Sequence, residues 1–425
     1  PGPEFIRKLK DAGVVCMPTI GLPKHAIKAV ELGADAVTVQ GGEGGGHTGA
    51  VPTTLLIPQV IDAVGDKVPV ATEILDAGDL WGKDCYQTED LLKERHGKDC
   101  EVACIGPAGE KISLISAVIT NKGRAAGRSG IGAVMGSKRL KALAVRGKKK
   151  VPVAEKETLN QLRKKYLPAM KKNPWYSFFH DIGTGAMIPG SVMNGRLPIK
   201  NWAGSILDIP DLEKISGENL IKRQDKRYGC WNCPMHCGGI MKQGLGEYKY
   251  AAGVHKPEYE TMGAFGSMCL NSNIESIIQA NDICNRQGLD TISTGCTIAF
   301  AIECFENGII RHKDTDDIEL TWGNHSAILA MAEKMAKRQG FGDILADGVK
   351  LAAERIGNAA EKYAIHIKGQ ELPMHDPRTQ IRLGLGATYK AAPAPARRRR
   401  SRRAPPTAPP KRARGSSRTT GCRPR

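Results

Sequence analysis

Apolar residues recur every three or four positions through most of residues 258–356, and that period predicts helices. The expected spans are Glu258–Leu270, Ile274–Arg286, Thr294–Asn307, His325–Arg338 and Phe341–Ile356. Ile328, Met331 and Met335 show the spacing. Asn307–Gly308 and Gln339–Gly340 supply glycine stops at two of the ends. One more helix is predicted over Glu155–Met170. Apolar runs predict strands at Glu101–Ile105, Ile112–Thr120 and Leu143–Arg146. Residues 1–71 have a different grammar. Helical patterns at Phe5–Ala12, Pro23–Leu32 and Leu55–Val64 alternate with apolar strands at Val14–Met17, Ala36–Val39 and Val68–Ala71. Such alternation implies parallel pairing. The pattern breaks after Ala71, so a seam is expected near residues 70–74.

The chain has 425 residues, 41% hydrophobic and 25% charged. These values are ordinary for a globular chain and exclude a fibre or a disulfide miniprotein. No run of about 18 apolar residues occurs, so no transmembrane helix is expected. The opening PGPEFIRKLK lacks an initiator Met and an apolar signal core, and reads as a fragment that begins inside a protein.

Charge changes the picture only locally. Lys and Arg number 62 against 44 Asp and Glu, a net +18. Twelve of those cations lie in residues 391–425, which contain no acid; the remainder holds 50 basic and 44 acidic groups. That Pro/Arg/Ala tail is expected to be disordered. It reads as an unselected or out-of-frame terminus, and nucleic-acid binding is not expected of it.

Twelve Cys are present, three of them within eight residues: Cys230, Cys233 and Cys237. In a large chain without an export signal, that spacing argues for metal ligation in a reducing cytoplasm. Three thiolates on one tight loop suit three corners of an iron–sulfur cubane. Zinc is the rival, although no second C-x2-C accompanies the first; a loop without metal is the third reading. Cys269, Cys284, Cys296 and Cys304 fall on predicted helices and are expected to be core thiols.

Three further segments carry candidate chemistry. In NKGRAAGRSGIG, Arg124 and Arg128 flank small residues just before a helix start near Gly130, an arrangement suited to phosphate. In KPEYET, an acid is placed for proton transfer or simply favours a helix N-terminus. In NRQGLDT, Asp290 caps the next helix and is compatible with ligand contact.

Residues 1–71 resemble the flavin-binding half of nitronate monooxygenases through ADAVTVQGGEGGGHTG and PTTLLIPQVIDAV. The resemblance implies a phosphate-binding loop at Gly41–Gly49 and a base at His47. A (β/α)8 barrel needs roughly 200 residues or more, so this piece is expected to be a barrel fragment that does not hold FMN.

Residues 73–388 resemble the aldehyde:ferredoxin oxidoreductases, the tungsten-pterin enzymes. The strings are DAGDLWGKD, IGPAGE, NKGRAAGRSGIGAVMGSKRLKALAVRG, CWNCPMHCGG, PEYETMGAFGS, NRQGLDTISTG, TWGN, GFGDILADGVK and KGQELPMHDPR. The resemblance implies oxidation of a small aldehyde to a carboxylic acid, with electrons passing from a tungsten (or molybdenum) bis-pterin with Mg2+ through a [4Fe–4S] cluster to ferredoxin. It implies that Cys230, Cys233 and Cys237 ligate the cluster. Arg124, Ala125, Gly127 and Arg128 would lie against pterin phosphates or magnesium, and Asn285 and Asp290 against a pterin. Glu260 would be a proton-handling carboxylate near the metal. A homodimer is compatible with the family, but the positions of its bridging E-x-x-H are Gln279 and Asp282, which puts that iron in doubt. The family's downstream D-x-x-G-L-C motif and active-site His lie past the end of the resemblance, so a truncated or chimeric, largely inactive enzyme is expected.

The expected fold is α+β. Residues 1–71 form the barrel fragment, 73–150 a partial β-rich pterin-binding domain, 151–390 a mainly helical iron–sulfur/pterin domain, and 391–425 the tail.

Overall fold

A computed structural model describes residues 75–147 and 153–379 continuously, with scattered positions before residue 75. The Gly41–Gly49 loop, His47, the Val14–Met17 and Val68–Ala71 strands, the seam and the tail lie outside the described residues. Near the start, β1 (Thr19–Ile20) and β2 (Thr38–Val39) pair in parallel, joined through the Pro23–Glu31 helix. This is the pairing that alternating elements imply.

The first continuous part is a four-stranded antiparallel sheet in the order β5 (Arg124–Ala126), β4 (Val118–Thr120), β3 (Glu101–Cys104) and β6 (Ala142–Val145). The Cys85–His96 helix packs on it. Asp84 and Gln87 start that helix with a reciprocal capping box. Cys85, Tyr86, Leu92, Val102, Cys104 and Ile119 form the core between helix and sheet. The predicted Ile112–Thr120 strand is mostly a turn: Ile112 has φ 57° and Ser116 N–H donates to Ser113 O, so only Val118–Thr120 joins the four-stranded sheet.

Helices dominate the rest, and the structure as described is mixed α/β with small sheets. The central helix is Thr291–Glu306, apolar on nearly every face. Around it pack Tyr259–Phe265, Ile274–Gln287, His325–Lys337 and Val349–Ile356. Two predicted helices are divided. The first ends at Phe265 before a short turn at Ser267–Cys269. The other breaks between Leu345 and Val349, where Gly348 has φ 87° and Asp347 takes Arg338 and Arg355. Cys269, Cys284, Cys296 and Cys304 are buried, as expected of core thiols. Burial pushes all four thiols up, Cys304 to about 12.

Sheet and helices meet at one seam. Ala117 N–H donates to Gly288 O at 2.8 Å, and Asp290 N–H to Ile115 O at 2.9 Å. Gly106 is required here, since a Cβ would lie 2.3 Å from Gln287 O. Two smaller sheets complete the fold: β7 (Gln224–Tyr228) with β8 (Gly238–Met241), and β9 (His366–Ile367) with β10 (Gln370–Glu371). No described helix is long and apolar enough to cross a membrane.

Candidate functional site

The three clustered cysteines occupy the loop between β7 and β8, whose register sets Tyr228 against Gly238. Cys233 N–H donates to Cys230 O at 3.0 Å. Asn232 and His236 take left-handed φ values of 55° and 49°, which fold the loop tightly. Cys230 is exposed, and Cys233 and Cys237 are half-buried. Burial pushes the Cys237 thiol up; Glu258 adds to this, and Arg124 opposes it. Among the described residues, no three His, Cys, Asp or Glu side chains converge on a point that would hold a single metal ion. A cluster is a wider body than one ion, so ligands placed around it need not meet at a point.

Above this loop lies the edge strand β5. The Arg124 guanidinium sits 4.6 Å from the Tyr228 ring centre, and its Nη2 is buried without a hydrogen-bond partner. The Tyr228 hydroxyl lies 2.6 Å from His255 Nδ1. Burial, with Arg124 and Lys122 nearby, brings His255 down to about 4, so the imidazole is neutral at pH 7. Gly123 allows the approach: a Cβ there would lie 2.2 Å from the His255 ring. Lys256, the next residue, donates to Ile182 O at 2.7 Å, and burial lowers its pKa.

Arg128 reaches the helical side. Its Nη1 donates to Asp290 at 2.8 Å and its Nη2 to the Glu371 carbonyl. Asp290 also caps the central helix, accepting from Ile292 and Ser293 N–H. The capping reading of Asp290 is the one these contacts show. Gly127 lies against the same carboxylate, and Ala125 pairs with Ile119 in β5. The Glu371 carboxylate accepts from Ser293 Oγ at 2.6 Å and Val349 N–H at 2.8 Å, and burial pushes its pKa up. Asn285 is buried in the last turn of the Ile274–Gln287 helix.

Glu260 is placed differently from the other sites. Its carboxylate accepts from Met374 N–H at 2.7 Å and lies 3.2 Å from His375 Nε2. His375 stacks on Tyr259 at 5.0 Å, and its Nδ1 is buried without a partner. Sequence reasoning did not single out His375, Glu371, Tyr228 or His255. The KGQELPMHDPR string held the first two, but nothing in its spacing paired His375 with Glu260.

The corresponding E-x-x-H positions hold no such pair: Asp282 is engaged by Arg286 at 2.7 Å. The donor set fits an anionic, sulfur-ligated group. Three thiols share one loop, and the buried Arg124 guanidinium nitrogen against Tyr228 lacks a partner.

Comparisons with known proteins identify the family. Residues 58–147 match the family described as aldehyde ferredoxin oxidoreductase, N-terminal domain, and residues 161–417 match aldehyde ferredoxin oxidoreductase, domains 2 & 3. Residues 1–83 match nitronate monooxygenase. The tungsten-containing aldehyde ferredoxin oxidoreductase of Pyrococcus furiosus is 37% identical over 319 residues, covering 74% of this chain and 51% of the relative. The chain thus spans about half the length of that relative. A (3aS,4S,5R,7aS)-5-hydroxy-7a-methyl-1-oxo-octahydro-1H-indene-4-carboxyl-CoA dehydrogenase of Rhodococcus jostii is 59% identical over 80 residues, 19% of this chain and 23% of that protein. Among solved structures, the active site complex BamBC of benzoyl coenzyme A reductase with 1,5 dienoyl-CoA superposes with TM-score 0.60 at 29% identity, over 72% of this chain and 47% of that one. With its sheet and helical regions both matched, this chain belongs to the aldehyde ferredoxin oxidoreductase family.

Proposed function

We propose that this chain carries the family's chemistry: an aldehyde and water become a carboxylate and three protons, with two electrons leaving for ferredoxin. The observation that carries the reading is the unpartnered Arg124 Nη2, buried beside the cysteine hairpin. A buried cation nitrogen without a partner is costly, and an anionic ligand removes that cost. In this reading Cys230, Cys233 and Cys237 hold an iron–sulfur cluster. Arg124, Ala125, Gly127 and Arg128 would lie against the pterin phosphates or their Mg2+, and Asn285 and Asp290 against a pterin. When bound, the tungsten- or molybdenum-pterin supplies the two-electron redox chemistry. Glu260, held by Met374 and His375, manages the proton released as water adds to the carbonyl. Residues 73–150 then form the sheet part of the cradle and 151–390 the helical part.

The test is metal analysis of the purified chain followed by aldehyde-dependent reduction of a viologen dye. Tungsten or molybdenum with iron and sulfide, and dye reduction that needs aldehyde, support the proposal. A metal-free chain after expression with tungstate, molybdate and iron would overturn it. Bound yellow FMN instead would point to the nitronate monooxygenase-like residues 1–71.

A further inference from the structure

We propose that Lys256 is the buried counter-charge of the group held by Cys230, Cys233 and Cys237, and that its ammonium raises the reduction potential of that group. The inference rests on the cluster reading given above, and it assigns a role to a residue outside the ligand loop.

Two lysines are buried among the described residues, Lys141 at 1% exposure and Lys256 at 5%. Lys141 is ion-paired with Glu110. Lys256 has no such partner. Its Nζ donates to Ile182 O at 2.7 Å, and no described carboxylate forms an ion pair with it. Glu258 is only two residues away, but its carboxylate accepts from Thr184 Oγ1. A buried ammonium held by a single neutral carbonyl is costly, since buried charges are ordinarily paired.

The ligand loop stands beside it. Lys256 N–H donates to Gly239 O at 2.8 Å, which ties the residue to β8 just past Cys237. Its side chain reaches back to the loop. A Cβ on Gly183 would lie 2.6 Å from Lys256 Nζ and 2.7 Å from Cys237 O, so both atoms crowd one point and only glycine leaves them room. Burial lowers the Lys256 pKa and Arg227 adds to this, whereas Glu258 and a Cys237 thiolate oppose it. The negative charge that Lys256 lacks is what a thiolate-ligated iron–sulfur cluster carries. Each electron taken up there adds one more negative charge, so a fixed cation alongside favours the reduced form.

The plainer role is a helix cap, because Ile182 ends the Pro174–Asp181 helix and lysines commonly bind such carbonyls. A cap works equally well from solvent, where water takes the remaining ammonium protons. It gives no reason for burial against a cysteine of the ligand loop.

The experiment separates charge from cap. The full chain is loaded with iron and sulfide without oxygen and titrated with dithionite and redox mediators. The paramagnetic resonance signal of the reduced cluster gives the midpoint potential, and no turnover is needed. Lys256→Gln keeps a donor for Ile182 O and removes the charge. Lys256→Met removes both, and Lys242→Met removes an exposed charge just past β8. The expected result is a lower midpoint in both Lys256 variants. The shift should equal about a tenfold or greater change in the oxidised-to-reduced ratio, with about 59 mV for each tenfold in a one-electron couple. Lys242→Met should keep the wild-type value. An unmoved midpoint in a fully loaded Lys256→Gln would overturn the proposal and leave Lys256 a helix cap. An equal shift in Lys242→Met would overturn it too, because burial beside Cys237 would then be irrelevant. If Lys256→Gln folds, by circular dichroism, but retains no iron, Lys256→Arg decides: restored iron supports the counter-charge, and continued loss overturns it. A wild-type chain that takes up no cluster sinks the cluster reading and this inference with it. A loaded cluster with an unmoved midpoint sinks this inference alone.

Discussion

The Arg124 guanidinium stacks 4.6 Å from the Tyr228 ring centre, joining the edge strand of the four-stranded sheet to the strand that feeds the cysteine hairpin. Such a contact contributes about 0.5–2 kcal/mol, but Nη2 is left unsatisfied. Arg124→Met keeps the length and removes the unpaired nitrogen. The metal-free variant is expected to unfold within about 1 kcal/mol of wild type, because the lost stacking is offset by relief of desolvation. Its tungsten and iron content should fall severalfold. Urea unfolding and metal analysis check the two halves, and wild-type metal content in the variant would remove Arg124 from the cradle.

Asp290 performs two tasks that can be separated. It caps the central helix and faces Arg128. Asp290→Asn keeps the cap and loses the charge, whereas Asp290→Ala loses both. The Ala variant should cost about 3 kcal/mol, with Asn about 1 kcal/mol less destabilising, the difference being the cap. Equal midpoints and slopes in urea for the two variants would show that capping contributes nothing.

How much of this was legible in the sequence depended on which force shapes each element. The Ile274–Gln287 and His325–Lys337 helices follow apolar period, Thr291–Glu306 is a nearly continuous apolar run, and all three begin at side-chain caps, Asn273, Asn324 and Asp290, readable locally. The Cys85–His96 helix was missed because CYQTEDLLKERH shows little apolar contrast; its Asp84/Gln87 capping box was the available signal. The strand β7 is QDKRY, polar on both faces, and pairs because the cysteine loop folds back on it. In the site, Arg128 and Asp290 were legible as motif members. Their ion pair was not, since it is made by tertiary packing across the sheet–helix seam. Glu260's attachment to Met374 and His375 was hidden for the same reason.

His255 makes stability depend on pH in a defined window. Its folded pKa is about 4 against an ordinary 6.5, with burial the main cause. Between those values the unfolded chain binds a proton that the folded chain refuses. Its contribution is therefore complete above pH 6.5 and is lost as pH falls towards 4, by about 3 kcal/mol in all. His255→Gln should flatten that part of the wild-type curve. Parallel stability curves for the two proteins from pH 4 to 6.5 would refute the assignment.

Glu260→Gln separates proton handling from cofactor retention. The carboxylate touches Met374 N–H and His375, not the cysteine loop or Arg124. Metal content should therefore remain at wild-type level. Aldehyde-dependent dye reduction should fall about 10²- to 10⁴-fold, the range for a positioned acid–base group. Proportional loss of metal and activity would make Glu260 a structural anchor for the 371–375 segment.

Thiol labelling of the metal-free chain tests the division between loop and core cysteines. Cys230 is exposed, while Cys233 and Cys237 are half-buried, and burial raises the Cys237 pKa. Because the thiolate is the reactive form, iodoacetamide should modify Cys230 first and Cys237 last among the three. Cys85, Cys269, Cys284, Cys296 and Cys304 are buried, with thiols pushed upward by desolvation. They should label only as the chain unfolds. Peptide mass mapping over time gives the order, and adding iron and sulfide before the reagent should protect the three loop cysteines together. Early labelling of Cys284 or Cys296 would contradict the packed core around the central helix. Protection of one loop cysteine alone would contradict a shared ligand role.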